Sequence, residues 1–309
     1  VIATITLNPS IDQNILVRGL VKDDANRATA IYRSAGGKGL NVSKVVRELG
    51  GPTRAYALTG GFIGVYWAKL AREMDVDFRT QSVKGETRIN TVLTDTRDAT
   101  QTRVSAPGPR VSAAETRLFL KRLLAARPKP FFWVLGGSLP GGMDPSMCRI
   151  FIEALQKNGT PCILDADGDT LKRGIEGRPY LIKPNEFEMA RLIGRPLKTL
   201  DDYRTSALEV VRRGVRVVIV SLGAQGALVA SEKGVFHVPG LEVPVKNKVG
   251  AGDSVIGGAA LGLFRGDPLE DSVRLGIAAS ASAVMRSAPR LCLRKDVPGL
   301  FKKTRVLLL

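Results

Sequence analysis

The sequence predicts an α/β fold in which a mainly parallel central sheet lies between helices. Three observations carry that prediction. Short apolar, β-rich runs recur along the chain, amphipathic stretches lie between them, and two segments break the alternation. The runs at residues 2–7, 53–59, 131–135, 161–165, 180–182 and 216–222 each read as a strand buried on both faces. The stretches at 39–49, 65–74, 112–126, 145–157 and 201–213 carry helical periodicity. Strands that alternate with helices argue for a parallel sheet covered on both sides, a three-layer sandwich. The two exceptions are residues 15–34 and 87–104, with short alternating runs such as R-I-N-T-V-L-T-D and no long helix. They read as antiparallel strands reaching out from the main sheet, either as a plain extension or as a small lid over a site. A further strand is expected at 241–245. Beyond Val243 the chain reads as helical to its end, with Gly- and Ala-rich stretches at 250–264 and 273–285 that permit close packing. No internal repeat, low-complexity segment or Pro-rich linker interrupts the 309 residues, a length that suits one large domain or two small ones.

Composition narrows the function. Lys and Arg number 46 against 29 Asp and Glu, a net charge of +17. That charge fits a nucleic-acid binder, an enzyme of anionic substrates, or a basic surface without a specific partner. A nucleic-acid surface interleaves basic residues with stacking aromatics. Here aromatics are 6% and the basic residues are scattered, so no specific nucleic-acid partner is expected. No apolar run approaches the roughly 18–20 residues that span a bilayer, and no membrane association is expected. The opening does not read as a signal peptide, because its apolar run stops at Asn8-Pro9 and no charged segment precedes it. The three cysteines are widely spaced, against a disulfide scaffold, and reduced thiols imply a cytoplasmic location. His237 is the only histidine, which excludes multi-histidine metal sites and most histidine-based triads.

The chemistry-bearing segments are rich in glycine. V-G-A-G-D-S at 249–254 follows the expected strand and opens a helix. Its N–H groups and helix dipole suit a phosphate, and the dipole favours ionised Asp253, a candidate base. It matches neither a Walker loop nor G-x-G-x-x-G, and no early G-x-G-x-x-G follows the first strand, against a dinucleotide oxidoreductase. A-G-G-K-G-L-N at 35–41 makes a second anion cradle, with Asn41 placed to bond a sugar hydroxyl. K-P-N-E-F-E at 183–188 reads as a capping box between Asn185 and Glu188, and its position after a strand is also where α/β sheets place ligand groups. S-L-G-A-Q-G-A at 221–227 suits a hairpin or a turn crossed by a nucleotide. N-P-S-I-D at 8–12 ends the first strand, and Asp12 could bind hydroxyls or cap the turn. Arg27 and Arg88 lie on the two interrupting segments, and Arg forks recognise phosphate well.

Taken in order, and joined by G-S-L-P at 137–140, these segments resemble the ribokinase-like (PfkB) sugar kinase family over nearly the whole chain. The resemblance implies a single domain over 1–309, a three-layer ribokinase-like sandwich, and a β-sheet lid formed by about 12–34 and 87–105. It implies transfer of the ATP γ-phosphoryl group to a sugar hydroxyl with Mg²⁺, and a homodimer formed through the lid. Carried over by position, Asp253 would be the base, and Gly250, Ala251 and Gly252 would form the anion hole. Asp12, Gly36, Gly37, Asn41 and Ser138 would hold the sugar. Asn185 and Glu188 would organise Mg²⁺ through water. Ser221, Gly223 and Gly226 would border the nucleotide, with Lys183 and Asn185 near its phosphates. T-R-I-N at 87–90, G-G-K-G, Asn26-Arg27 and A-P-G-P at 106–109 look like kinases of phosphorylated ketohexoses. These are phosphofructokinases, acting on fructose 1- or 6-phosphate, or tagatose-6-phosphate kinases. Arg27, Lys38 and Arg88 would then grip the phosphate already on the sugar. The chain departs from the family at Asn247 and Lys248, where Asp or Ser and then Thr are usual, which touches the nucleotide side and any monovalent-cation effect.

Overall fold

The computed structural model describes residues 1–98, 100–286 and 290–309. The chain opens with β1 (Ile2–Thr6), β2 (Ser10–Val17) and β3 (Ala28–Gly36), followed by α1 (Lys38–Glu48), β4 (Thr53–Thr59) and α2 (Gly61–Arg72). Next come β5 (Phe78–Ser82), β6 (Arg88–Asp95), β7 (Gln101–Val104), α3 (Ala113–Leu124), β8 (Phe132–Gly136) and α4 (Met147–Lys157). The middle of the chain supplies β9 (Cys162–Asp165), α5 (Gly168–Gly174), β10 (Leu181–Ile182), α6 (Glu186–Ile193), α7 (Leu200–Arg212) and β11 (Val217–Ser221). It ends with β12 (Ala227–Ser231), β13 (Gly234–Val238), α8 (Ala251–Arg265), α9 (Leu269–Val284), α10 (Val297–Lys303) and β14 (Leu307–Leu308).

The central sheet has ten strands in the order β14-β13-β12-β11-β10-β9-β8-β1-β4-β5. From β11 to β5 every pairing is parallel, and from β11 to β14 every pairing is antiparallel. Two hydrophobic cores sandwich it. Phe119, Phe151, Leu155, Met189 and Val210 pack on one face from α3, α4, α6 and α7. Val42, Val45, Ile256, Ala260, Ile277 and Leu300 pack on the other from α1, α8, α9 and α10. This double burial explains the unbroken apolar runs of β1 and β8, in which every residue is buried.

The two interrupting segments form a separate four-stranded sheet, β3-β2-β6-β7. Its outer pairs are antiparallel as expected, but β2 and β6 run parallel, from Ser10↔Arg88 to Val17↔Asp95. The reason is topological. Both hairpins leave the C-terminal ends of parallel strands, β1 and β5, and so start side by side in one direction.

Two other expectations fail. Residues 241–245 form no strand, because Pro239 and Pro244 remove backbone donors and Gly240 passes tightly over Ala224. The chain is not helical to its end either, since Leu307–Leu308 closes the sheet edge against β13. Helix α2 begins at Gly61 rather than 65, because the Glu86 carboxylate accepts from the Ile63 N–H at 2.7 Å and caps the first turn from another strand connection.

Candidate active site

Most of the predicted site residues lie at the C-terminal ends of the parallel strands or on the segments that leave them, where open α/β sheets bind ligands. Helix α1 is pinned there by buried hydroxyls. Thr6 Oγ1 at the end of β1 accepts from the Leu40 N–H at 3.1 Å and caps the helix from outside. Thr4, Ser43 and Thr53 link α1 to β1 and β4 through bonds of 2.8 Å. Gly36 lets the lid strand meet the helix: a Cβ there would stand 2.2 Å from Asp12 Oδ2. Asp12 accepts from Ser10 Oγ at 2.8 Å and Asn90 Nδ2 at 3.3 Å, all on one lid face. From the first turn of α1, Asn41 Nδ2 donates to Asp253 Oδ2 at 2.8 Å.

Asp253 is buried in the first turn of α8, behind the N-cap Gly250. Burial and the like charge of Asp165 push its carboxyl up to about 6, against the pull of Lys38, Asn41 and Lys183. The first N–H groups of α8 have no acceptor within the helix. That of Ala251 makes only a 3.4 Å contact to the Lys248 carbonyl. Lys183 Nζ lies over this helix end, 3.1 Å from where a Cβ on Gly252 would stand. Asp165 at the tip of β9 ties the cations together, 3.6 Å from Lys183 Nζ and 3.2 Å from Lys38 Nζ. Burial disfavours the Asp165 charge, but Lys183 and Lys38 hold it below the usual carboxylate range. Burial also works against the Lys38 ammonium, and Asp165, Asp253 and Glu188 outweigh it, so its pKa is raised.

A second polar cluster lies between β1, β6 and the start of the 137–140 loop. Arg88 donates to the Ala106 carbonyl at 2.8 Å, the Asn8 carbonyl at 3.0 Å and Ser138 Oγ at 3.3 Å. Burial lowers its pKa, with Asp12 opposing, and its buried Nε has no hydrogen-bond partner among the described residues. A half-buried guanidinium with a spare donor suits an anion. Of the three basic residues expected to share one phosphate, Arg27 stands apart from Arg88. Lys38 packs its stem on Gly136 and pairs with Asp165, on the Asp253 side. Arg27 lies next to Ala28, which pairs with Val17, whereas Arg88 pairs with Ser10. The seven-residue separation along β2 corresponds to roughly 23 Å.

On the remaining side, Asn185 and Glu188 form both bonds of the capping box, at 2.8 and 2.9 Å. Ser221 bridges to Asn185 at the end of β11. Gly223 has open space around it, and Gly226 is confined, since a Cβ would stand 2.1 Å from the Val238 carbonyl. Lys248 is exposed.

The pattern of the pfkB family carbohydrate kinases matches residues 5–296. The chain belongs to this family. It is 30% identical over 281 residues to the 1-phosphofructokinase of Bacillus subtilis, covering 91% of each chain. It is 33% identical over 302 residues to the ATP-dependent 6-phosphofructokinase isozyme 2 of Escherichia coli, covering 97% of each. Among solved structures, phosphofructokinase-2 from Escherichia coli in complex with fructose-6-phosphate superposes with a TM-score of 0.91 at 32% identity, over 97% of this chain and 98% of that one. Arabidopsis thaliana ribokinase, at 21% identity and a TM-score of 0.79 over 97% and 98% of the two chains, shares the fold.

In this pfkB-family chain three site residues escape sequence reasoning. Asp165 reads only as the polar end of a strand. Lys44 lies on α1 one turn past Asn41; burial lowers its pKa while Asp12 and Asp253 oppose. Asn8 reads as a turn residue, yet it is buried within the Arg88 cluster. Asn8 and Asp165 lie at or just past the ends of β1 and β9, and Lys44 lies one turn into α1 from Asn41, places that no motif in the sequence singles out. The thiols stand apart. All three cysteines are free and buried, and burial pushes Cys148 and Cys292 up to about 12, which keeps them unreactive. Among the described residues no helix is long and apolar enough to cross a membrane.

Proposed function

We propose that the chain is an ATP-dependent phosphofructokinase that converts a fructose monophosphate, the 1- or the 6-phosphate, into fructose 1,6-bisphosphate. The observation that carries this reading is buried Asp253, raised to about 6, held by Asn41 and set at a helix N-terminus beneath Lys183. Asp253 takes the proton of the free sugar hydroxyl as that oxygen forms a bond to the γ-phosphorus. The bond from the γ-phosphorus to the bridging oxygen breaks, and ADP leaves. The N–H groups of Ala251 and Gly252, with Lys183 and Lys38, face the charge that spreads over the transferring group. Asp12 and Asn41 hold sugar hydroxyls against the backbone of Gly36 and Gly37, and Arg88 with Ser138 receives the existing phosphate. Ser221, Gly223 and Gly226 border the nucleotide. Tagatose 6-phosphate presents the same phosphate to Arg88, so it is the alternative substrate.

Mg²⁺ fits the donor set. Asp165 offers a buried carboxylate beside the phosphate-facing lysines, and Glu188 keeps a carboxylate oxygen beyond its capping bond. No group of three carboxylate, His or Cys side chains that could hold a metal occurs among the described residues, which suits an ion that keeps most of its waters. Asn185 and Glu188 would hold it through water; when bound it neutralises charge on the nucleotide phosphates.

The lid favours a homodimer. Register puts Ile31, Ile89 and Val104 on the face opposite Asp12 and Asn90, and all three are exposed. Arg27, too far from Arg88 of its own chain, could meet a phosphate only across such an interface. Three buried, unpaired thiols agree with a cytoplasmic location. The test is Asp253→Asn. Turnover should fall by about 10²–10⁴-fold while calorimetry still detects ATP and fructose phosphate binding. Substantial remaining turnover would remove Asp253 from the base role.

A further inference from the structure

Asn8 follows β1 and is 3% exposed. Its Nδ2 donates to the Pro107 carbonyl at 3.0 Å, the Leu139 carbonyl at 3.2 Å and Ser138 Oγ at 3.2 Å. Its backbone carbonyl accepts from Arg88 Nη2 at 3.0 Å. One residue therefore joins the end of β1, the lid arginine, the 106–108 turn and the 137–140 loop. The amide can face only one way, because reversal would set Oδ1 against two carbonyl oxygens. Gly108 completes the fit: a Cβ there would stand 2.1 Å from Asn8 Oδ1.

The hydrogen-bond inventory at Ser138 follows from this. Its oxygen accepts from Asn8 Nδ2 and from Arg88 Nη2, which fills both lone pairs. Its O–H is then left over as a donor. Arg88 Nε is buried with no partner among the described residues. Two donors, one charged and one neutral, are thus left without an acceptor among the described residues, and Asn8 touches both groups, Ser138 through its side-chain amide and Arg88 through its backbone carbonyl. A buried donor such as Arg88 Nε is costly unless a ligand completes it, while the exposed Ser138 hydroxyl is open to the same ligand.

We propose that Asn8 is a positioning residue that orients Ser138 and Arg88 as a paired donor set for the phosphate the sugar already carries. This rests on the reading of Arg88 and Ser138 as the phosphosugar-binding groups. Its amide acts by fixing Ser138, which in turn accepts from Arg88, while the backbone carbonyl of residue 8 holds Arg88 whatever the side chain.

The experiment uses the full chain and steady-state kinetics with fructose 6-phosphate, fructose 1-phosphate and free fructose as acceptors. Asn8→Ala should raise KM for the phosphorylated sugar by about tenfold or more, well beyond any change in KM for ATP. The preference for phosphorylated over free fructose should fall by the same factor. Asn8→Asp, which sets a carboxylate against the Pro107 and Leu139 carbonyls, should lose more. Asn8→Ser, which restores one donor, should recover part of the loss, and it serves as the test if Asn8→Ala does not fold. Equal increases in KM for ATP and for phosphosugar, or equal losses with free fructose, would overturn the proposal. Arg88→Ala separates the two levels. If it abolishes the preference for phosphosugar while Asn8→Ala does not, the positioning role fails and the phosphate site stands. If Arg88→Ala leaves the preference intact, the phosphate-site reading fails and the role of Asn8 fails with it.

Discussion

At the scale of single residues the centre is an arrangement of two buried carboxylates and two lysines. Asp165 and Asp253 repel, and that repulsion adds to burial in raising Asp253 to about 6. Lys38 and Lys183 keep Asp165 ionised and so leave Asp253 as the group that titrates near its working range. The sign of the pH dependence follows. A base with a pKa near 6 is protonated and inactive below it, so kcat/KM should fall about tenfold per pH unit on the acid side. The same shift makes the folded carboxyl hold its proton longer than the unfolded one. Its contribution to stability is therefore present at low pH and lost as pH rises through about 6. Lys38→Met removes a cation that lowers the Asp253 pKa, so the acid limb should move to higher pH in initial-rate profiles. A limb that stays put or moves down would mean that Lys38 does not act on the base.

At the scale of elements, the proposed anion hole depends on where α8 lies, and small residues set that. A Cβ on Gly276 of α9 would stand 2.5 Å from the Val255 carbonyl, and one on Gly258 would stand 2.7 Å from the Gly276 Cα. These helices meet backbone to backbone, so no side chain can rotate away. Gly276→Ala should cost about 1–3 kcal/mol, read as a lowered thermal midpoint. An unchanged midpoint would show that α8 and α9 can separate freely. The close packing was legible in the Gly- and Ala-rich runs at 250–264 and 273–285, and the strands buried on both faces were legible as apolar runs. The helix boundaries at 112–126 and 201–213 were legible too, because Ser112 and Thr199 carry capping boxes. What the sequence could not disclose depends on distant chain. The parallel pairing of β2 with β6 is decided by where β1 and β5 release their hairpins. The pairing of β14 with β13 rests on two residues, too short a run for periodicity. The link of Asp165 to Lys38 and Lys183 joins three separate segments, and no local pattern marks it.

At the scale of the whole molecule, the charge and the lid take on meaning. Even with every acid paired, 46 cations against 29 anions leave 17 over. The site uses only a few of them, among them Lys38, Lys44, Arg88 and Lys183. Surface ion pairs such as Arg47–Asp75 and Arg191–Asp167 absorb others at little gain in stability. The excess positive charge suits an enzyme whose ligands are all phosphorylated. The lid would add the acceptor side, with Asp12, Asn90 and Arg88 on one sheet face. The two halves of the account therefore make a joint claim: a base at the helix end, and a separate cationic grip on a phosphate already in place. The most direct test is a coupled assay of ATP consumption that compares kcat/KM for fructose 6-phosphate, fructose 1-phosphate, tagatose 6-phosphate and unphosphorylated fructose. The account predicts transfer to a fructose phosphate with fructose 1,6-bisphosphate and ADP as products, and a strong preference over free fructose. Equal or better turnover of free fructose, or no transfer to any of the phosphosugars, would contradict it.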